Sequence, residues 1–298
     1  MLFPRMKKTI AFILSAFVLS ACSAFSAGDS NAQAAKTELS ICTLNILIDG
    51  KDCGPNKDGS CVWKFRRPVV KEFIAKHDFD ILCCQEPLSN QVLDVAADNG
   101  YEVYFKPVRT TTPKSPCNPV YYKKSRFELL DKGEFYFSKT PEVESNDWDS
   151  PRSRCATWVK LRDKKTRAEF FVFSLHFTHI GKVAKFESAK VLVKKVAEIT
   201  KGAPFFAMGD FNSFPDSPQI KYICSSGVMR DSKVASLSEP VGEGPSFHGF
   251  RKDDNSKERI DYIFVSPNAE VLSYCLDKQK YGDIPLSDHY PVRIKARF

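Results

Sequence analysis

The 298-residue chain has ten cysteines but no C-x-x-C, and it has no G-x-S-x-G. A zinc ribbon, a thioredoxin-like redox motif and a serine-hydrolase nucleophile elbow therefore lack their sequence basis. It has one continuously apolar run, at the extreme N-terminus, which excludes a polytopic membrane protein. Internal repeats are absent, and from Thr37 to Phe298 no linker-like shift in composition breaks the chain, so this stretch reads as one domain. With 43% hydrophobic and 27% charged residues, neither wholesale disorder nor a coiled coil fits.

The apolar run is a targeting segment. Arg5, Lys7 and Lys8 precede thirteen apolar residues, Thr9 to Ala21, too few for a span of about 20. The run ends in Leu19-Ser20-Ala21-Cys22, which resembles a bacterial lipobox. The expected organisation is a lipoprotein signal peptide over 1–21, lipidation at Cys22, a small-residue tether over 22–36 and a folded domain over 37–298. The protein is then exported and lipid-anchored to a bacterial membrane, at the periplasmic face or cell surface, and is expected to be a monomer. The alternative is an ordinary signal peptide cut at Ala32-Gln33-Ala34. Losing residues 1–21 lowers the formal charge from +8 to +5, which suits a polyanionic substrate without requiring one. Cys53 and Cys61 bracket a polar loop and are the expected disulfide of an oxidising compartment.

Periodicity sketches the domain. Leu39 to Ile46 reads as a strand. Arg66 to His77 places Val69, Val70, Phe73 and Ile74 at helical spacing. Phe79 to Cys84 follows as a buried strand, with Cys83 and Cys84 on opposite faces as small hydrophobes. Residues 120–137 and 154–176 read as successive strands, with Asp163-Lys164-Lys165 as a solvated hairpin. Lys182 to Lys201 is the clearest amphipathic helix. Pro204 to Met208, Ile260 to Val265 and Val292 to Ala296 complete the strands. The expected class is α/β (α+β), sheets packed together with helices outside.

Polar residues interrupt these strand ends. Asn45 closes the first strand, Gln85-Glu86 the second, His176 the strand after Phe170, and Gly209-Asp210-Phe211-Asn212 the run PFFAM. Asp261 opens IFV, and Ser287-Asp288-His289 precedes the last strand. Such groups are costly to bury alone, so one shared site accounts for them. Glu86 and Asp288 are hard oxygen donors, and Asn45 adds a carbonyl or holds a water. That pattern suits Mg²⁺, with Mn²⁺ as the alternative, rather than a Cys/His zinc cage. Two distant histidines suit proton transfer, and Asp210 and Asn212 can orient water and a phosphate oxygen. Together these are the parts for attack of water on a phosphate ester. His248, flanked by aromatic residues, is placed in the substrate pocket; His179 either lines that pocket or bonds locally.

In this order the motifs resemble the endonuclease/exonuclease/phosphatase family, from residue 41 to residue 296, most closely its secreted, small-domain branch. Weaker matches are Trp63-x-x-Arg66, Asp80 and Phe247-His248-Gly249-Phe250. The resemblance implies a four-layer sandwich of two mixed β-sheets flanked by helices, with the site at one edge of the facing sheets. It implies Glu86 as principal Mg²⁺ ligand, assisted by Asn45 and Asp288. Asp210 is to position or deprotonate water, Asn212 to hold the scissile phosphate, and His176 to stabilise the transition state. His289, oriented by Asp261, is to contact phosphate or transfer a proton, while Arg154 and Arg66 are candidate substrate contacts. Two departures from the family pattern, Ser174-Leu175 before His176 and Thr178-His179 after it, predict altered substrate contacts over 174–179. The expected activity is hydrolysis of a phosphodiester or phosphomonoester whose identity the sequence leaves open. A nuclease acting on extracellular DNA or RNA, or an impaired surface binding protein on the same scaffold, is the alternative.

Overall fold

The computed structural model describes residues 36–50, 62–111, 114–250 and 258–298. The signal segment, Cys22, the tether up to residue 35 and the Cys53–Cys61 pair lie outside the described residues. All seven described cysteines are free thiols.

Along the chain come β1 (Glu38–Asn45), α1 (Trp63–His77), β2 (Ile81–Gln85), α2 (Ser89–Asn99), β3 (Tyr101–Tyr104), β4 (Val120–Lys123), β5 (Phe127–Tyr136) and β6 (Cys155–Asp163). There follow β7 (Glu169–His176), α3 (Lys182–Thr200), β8 (Phe205–Asp210), α4 (Pro218–Ser225), β9 (Arg230–Asp231), β10 (Asp261–Val265), β11 (Glu270–Leu276) and β12 (Val292–Arg297). One mixed sheet has the order β11-β12-β1-β2-β4-β3 and the other β5-β6-β7-β8-β10-β9.

Alternation along the central strands builds three cores and so four layers. Leu39, Ile41, Ile81 and Cys83 meet Val172, Phe206 and Ile263 between the two sheets. Cys42, Leu44, Leu82 and Cys84 face the other way, onto Val70, Phe73 and Ile74 of α1 and Val92 and Val95 of α2. On the far side Phe173, Leu175 and Phe205 meet Ala189, Leu192 and Val196 of α3 and Ile220 of α4. Strands covered on both faces read as continuous apolar runs, which is why they stand out in the sequence. Adjacent Cys83 and Cys84 do lie on opposite faces, and burial raises both thiols above their ordinary range.

The structure adds α2, β3, α4, β9 and β11. Each is short or only partly buried, so its apolar period is weak: no residue of β3 is fully buried, and β11 buries only three of seven. The helix expected from Arg66 begins at Trp63, so the Trp63-x-x-Arg66 match lies inside α1 rather than before it. The β6–β7 hairpin forms at Asp163-Lys164-Lys165, but Asp163 is not solvated. Its buried carboxylate accepts the N–H groups of Lys165 and Thr166 at 2.8 and 3.2 Å and pairs with Arg126.

Candidate active site

Strand polarity brings the interrupting residues together. Parallel β1 and β2 end in register at Asn45 and Gln85, and parallel β7 and β8 end at His176 and Asp210. Antiparallel β10 starts with Asp261 opposite Asp210, and antiparallel β12 follows His289 at the edge where β1 ends. Two residues just past strand ends take left-handed conformations, Glu86 (φ 69°) and Asn212 (φ 47°), a backbone state associated with functional turns. Gly209 has φ 148°, and a Cβ there would sit 1.9 Å from the Leu175 carbonyl oxygen. Only glycine lets β8 approach β7 this closely beside Asp210.

At the centre is buried Asp210. Its Oδ1 accepts the Asn212 N–H at 2.8 Å and its Oδ2 the Asn45 Nδ2–H at 3.1 Å. Nε2 of His176 and Nε2 of His289 stand 3.4 and 3.8 Å from Oδ2. Burial, then the charge of Asp261, push the Asp210 carboxyl up to about 7. His289 donates from Nδ1 to Asp261 Oδ2 at 2.8 Å. Burial alone would lower its pKa, but Asp261 together with Asp210 and Asp288 raises it to about 10, so it is an imidazolium at neutral pH. Ser246, which the sequence reading overlooked, fixes Asp261 by donating its hydroxyl to Oδ2 at 2.6 Å and accepting the Ile260 N–H at 2.8 Å. It is an ordinary serine in a loop, with no pattern to mark it.

Asn212 corrects its expected role in part. Its amide nitrogen lies 3.0 Å from the Phe177 carbonyl and 3.1 Å from Nε2 of His176, so it is engaged by the protein on both sides. Asn212 reaches a phosphate oxygen only by exchanging the bond to His176. Asn45 likewise presents its amide N–H to Glu86 (3.3 Å) and Asp210, while its oxygen accepts the Leu47 N–H. It therefore bridges two carboxylates here, and ligation through its oxygen requires the amide to turn.

A cavity of about 640 Å³ opens over this edge, lined by Glu86, Arg154, His176, Asp210, Asn212 and His289 among others. Arg66 is not in it. The Arg66 side chain is fully buried, and its guanidinium donates to the carbonyls of Ile46, Leu47 and Leu286, tying the loop after β1 to the loop before β12. His248 is also displaced. It packs on Tyr290 beside a separate hollow, and its neighbour Phe247 lines the main cavity. The departures at Ser174-Leu175 do not touch substrate space. Ser174 donates to the Cys84 carbonyl and receives Gln85 Nε2–H between the sheets, and Leu175 is in the core under α3. His179 does line the cavity. The sequence reading missed Arg109, Lys114 and Arg152 on the same wall, because surface-type cations in loops carry no periodic signal.

The site offers two sets of donors to a divalent cation. Asp210, Asp261 and His289 are the tightest group of candidate ligands among the described residues, their donor atoms within 4.8 Å of one another. That group is closed by its own hydrogen bond, and a protonated imidazole has no lone pair to give. Glu86 and Asp288 offer hard oxygens instead, both acting electrostatically on Arg66, and Glu86 faces the cavity. Oxygen donors without thiolates fit Mg²⁺ better than Zn²⁺.

Comparison with known proteins agrees with this chemistry. An endonuclease/exonuclease/phosphatase family protein of Bacteroides thetaiotaomicron superposes with a TM-score of 0.82 at 30% identity, covering 89% of this chain and 96% of that one. A mannosyl-6-phosphatase of the same species superposes with a TM-score of 0.81 at 30% identity, covering 87% of this chain and all of that one. Nocturnin of Drosophila melanogaster is 24% identical over 284 residues, covering 80% of this chain and 42% of that protein, so the chain spans less than half of this relative's length. Residues 62–289 match the model of a family whose members hydrolyse phosphoester bonds with a divalent metal. With the four-layer sandwich and the edge cleft, this match establishes that the chain belongs to the endonuclease/exonuclease/phosphatase family.

Proposed function

We propose that the protein is an exported, lipid-anchored, Mg²⁺-dependent phosphoesterase that cleaves the phosphate ester of a compact soluble molecule with an activated water. The observation carrying this is the convergence of Asp210, Asn45, Asn212, His176 and the Asp261–His289 pair on one hydrogen-bonded edge beside Glu86.

Asp210, ionising near neutrality, is placed to take a proton from water. His289, oriented by Asp261 and Ser246, turns its Nε2–H toward the phosphoryl oxygens and compensates their growing charge. Arg154, half-buried on the cavity wall, adds a fixed positive charge beside Glu86 and Asp210. Glu86 and Asp288, with Asn45 through its oxygen, are the residues that would hold the divalent cation. Bound there, it polarises phosphate oxygens and eases ionisation of water. A bounded cavity favours a small phosphorylated molecule over a nucleic-acid strand, which needs an extended basic track. The similarity to a mannosyl-6-phosphatase supports the same preference.

The test is a panel of mannose 6-phosphate, bis-p-nitrophenyl phosphate, plasmid DNA, RNA and sphingomyelin with EDTA, Mg²⁺ or Mn²⁺. Turnover should vanish with EDTA and return with Mg²⁺. Asp210→Asn and Glu86→Gln should each cut kcat/KM by about 10²–10⁴-fold. Full activity in Asp210→Asn would overturn its assignment as base, and cleavage confined to DNA or RNA would move the substrate to nucleic acid.

A further inference from the structure

Two loops build the basic wall of the cavity. The first, residues 107–117, is closed by the bridge of Pro107 with Cys117 and by the Val108 N–H on the Pro116 carbonyl at 2.9 Å. Its Arg109 N–H is fixed at 2.8 Å on the hydroxyl of buried Ser115. This loop presents Arg109 and Lys114 to the cavity, and the β5–β6 loop presents Arg152 and Arg154. The loops are clasped together: Thr110 donates its N–H and its hydroxyl to Glu144 at 3.0 and 2.7 Å. The second loop is also pinned to α3, because Asp149 accepts the N–H groups of Ala184 and Val183 at 2.7 and 3.2 Å. These bonds fix the backbone from which the cations project.

Among the described residues, none of these four side chains makes a hydrogen bond or ion pair with the protein. The carboxylates that line the cavity with them are Glu86 and Asp210, and those sit at the catalytic edge. Arg154 is within electrostatic reach of Glu86 and Asp210, whereas Arg109 acts on Glu144, so the wall extends well beyond the reacting centre. Arg152 and Arg154 repel each other across it. One phosphoryl group at the edge accounts for Arg154. It leaves Arg109, Lys114 and Arg152 as three further cations lining the same cavity, without an ion pair to the described residues, an arrangement that a second anion resolves.

We infer that the substrate carries two anionic groups: the scissile phosphoryl at the catalytic edge, and a second phosphate or carboxylate bound by Arg109, Lys114 and Arg152. The first anion rests on the phosphoesterase reading above; the second rests on the wall alone. The cavity, about 640 Å³, is large enough to hold a phosphorylated sugar or sugar acid.

The test compares three probes on one carbon skeleton: glucose 6-phosphate, 6-phosphogluconate and glucose 1,6-bisphosphate. The intact chain with Mg²⁺ should turn over the two-anion probes with kcat/KM at least about tenfold above glucose 6-phosphate. That ratio should fall toward one in Arg109→Gln/Arg152→Gln, and Arg109→Lys/Arg152→Lys should restore part of it. Equal kcat/KM for all three probes, or a double variant that lowers all three alike, overturns the second site. If none of the three is turned over, the phosphoesterase reading stands or falls on the wider panel above, and calorimetric titration of Asp210→Asn with the same probes still tests the wall. Two-anion probes binding at least about tenfold tighter, with the preference lost in Arg109→Gln/Arg152→Gln, uphold it; equal affinity overturns it.

Discussion

At the scale of single residues, Asp210 and His289 define how the site answers to pH. Asp210 is raised to about 7, so it loses its proton as pH rises through neutrality, and His289 near 10 keeps its own. If ionised Asp210 is the base and charged His289 the partner of the phosphoryl group, kcat/KM rises through about pH 7 and falls toward pH 10. A divalent cation nearby moves the lower limb down, never up. Asp210→Asn should abolish the lower limb, and His289→Asn the upper one, in a profile taken at saturating Mg²⁺. Stability runs the other way. Between the ordinary carboxylate range and pH 7 the folded chain holds a proton on Asp210 that the unfolded chain has lost. Between about 6.5 and 10 the same holds for His289. The unfolded state binds fewer protons in both windows, so metal-free protein loses stability as pH rises from about 5 to 9. A Tm that climbs over that range would contradict the assignment. These residues were legible because each breaks an apolar run. Arg66 and His248 were misplaced because a sequence gives the position of a side chain but not its direction: Arg66 turns inward onto three carbonyls, and His248 turns its ring away from the cavity that Phe247 enters.

At the scale of elements, the short β9 matters more than its two residues suggest. It pairs with β10 through Asp231 and Phe264, and buried Asp231 forms a bidentate ion pair with Arg259, two residues before Asp261. The Arg259 guanidinium also lies over the Tyr262 ring, 4.4 Å from its centroid. Burial opposes that charge, but Asp231 outweighs it and holds the guanidinium above its ordinary range. Removing one partner leaves the other buried and uncompensated, so Asp231→Ala should destabilise the domain by about 3–5 kcal/mol. At this chain length that lowers Tm by roughly 10 °C. Asp231→Leu/Arg259→Met should recover much of the loss in thermal melts. It should not recover all of the activity, because the backbone that starts β10 at Asp261 loses its anchor. A double variant as unstable as Asp231→Ala would show that packing, not the buried charge, sets the effect. The central strands and α3 were legible from their periods. β9 and α2 were not, since a two-residue strand has no period and α2 buries a polar Gln91 among its few inward positions.

At the scale of the whole molecule, the order of motifs over some 240 residues gave the fold through the family it resembles, and strand polarity in the structure sends the interrupting residues to one edge. The basic wall was not legible, because it joins two loops about 40 residues apart that meet only once both sheets exist. That polarity also governs access to the cleft. The domain begins at Thr37, whose N–H bonds the Phe298 carbonyl at 3.0 Å, and β1 then runs eight residues to Asn45 at the site. At about 3.3 Å per residue the chain enters roughly 26 Å from the catalytic edge, at the opposite end of the sheet. If the chain is lipidated at Cys22, as proposed, membrane attachment and catalysis are separable, because the residues of the site all lie within the folded domain. Cys22→Ala should move the protein from the membrane to the soluble fraction while kcat/KM on a soluble phosphate ester stays within about twofold. Unchanged fractionation would point to cleavage after Ala34 instead. Loss of activity in step with release would mean that the N-terminal segment contributes to the site, against the separation of the two ends of β1.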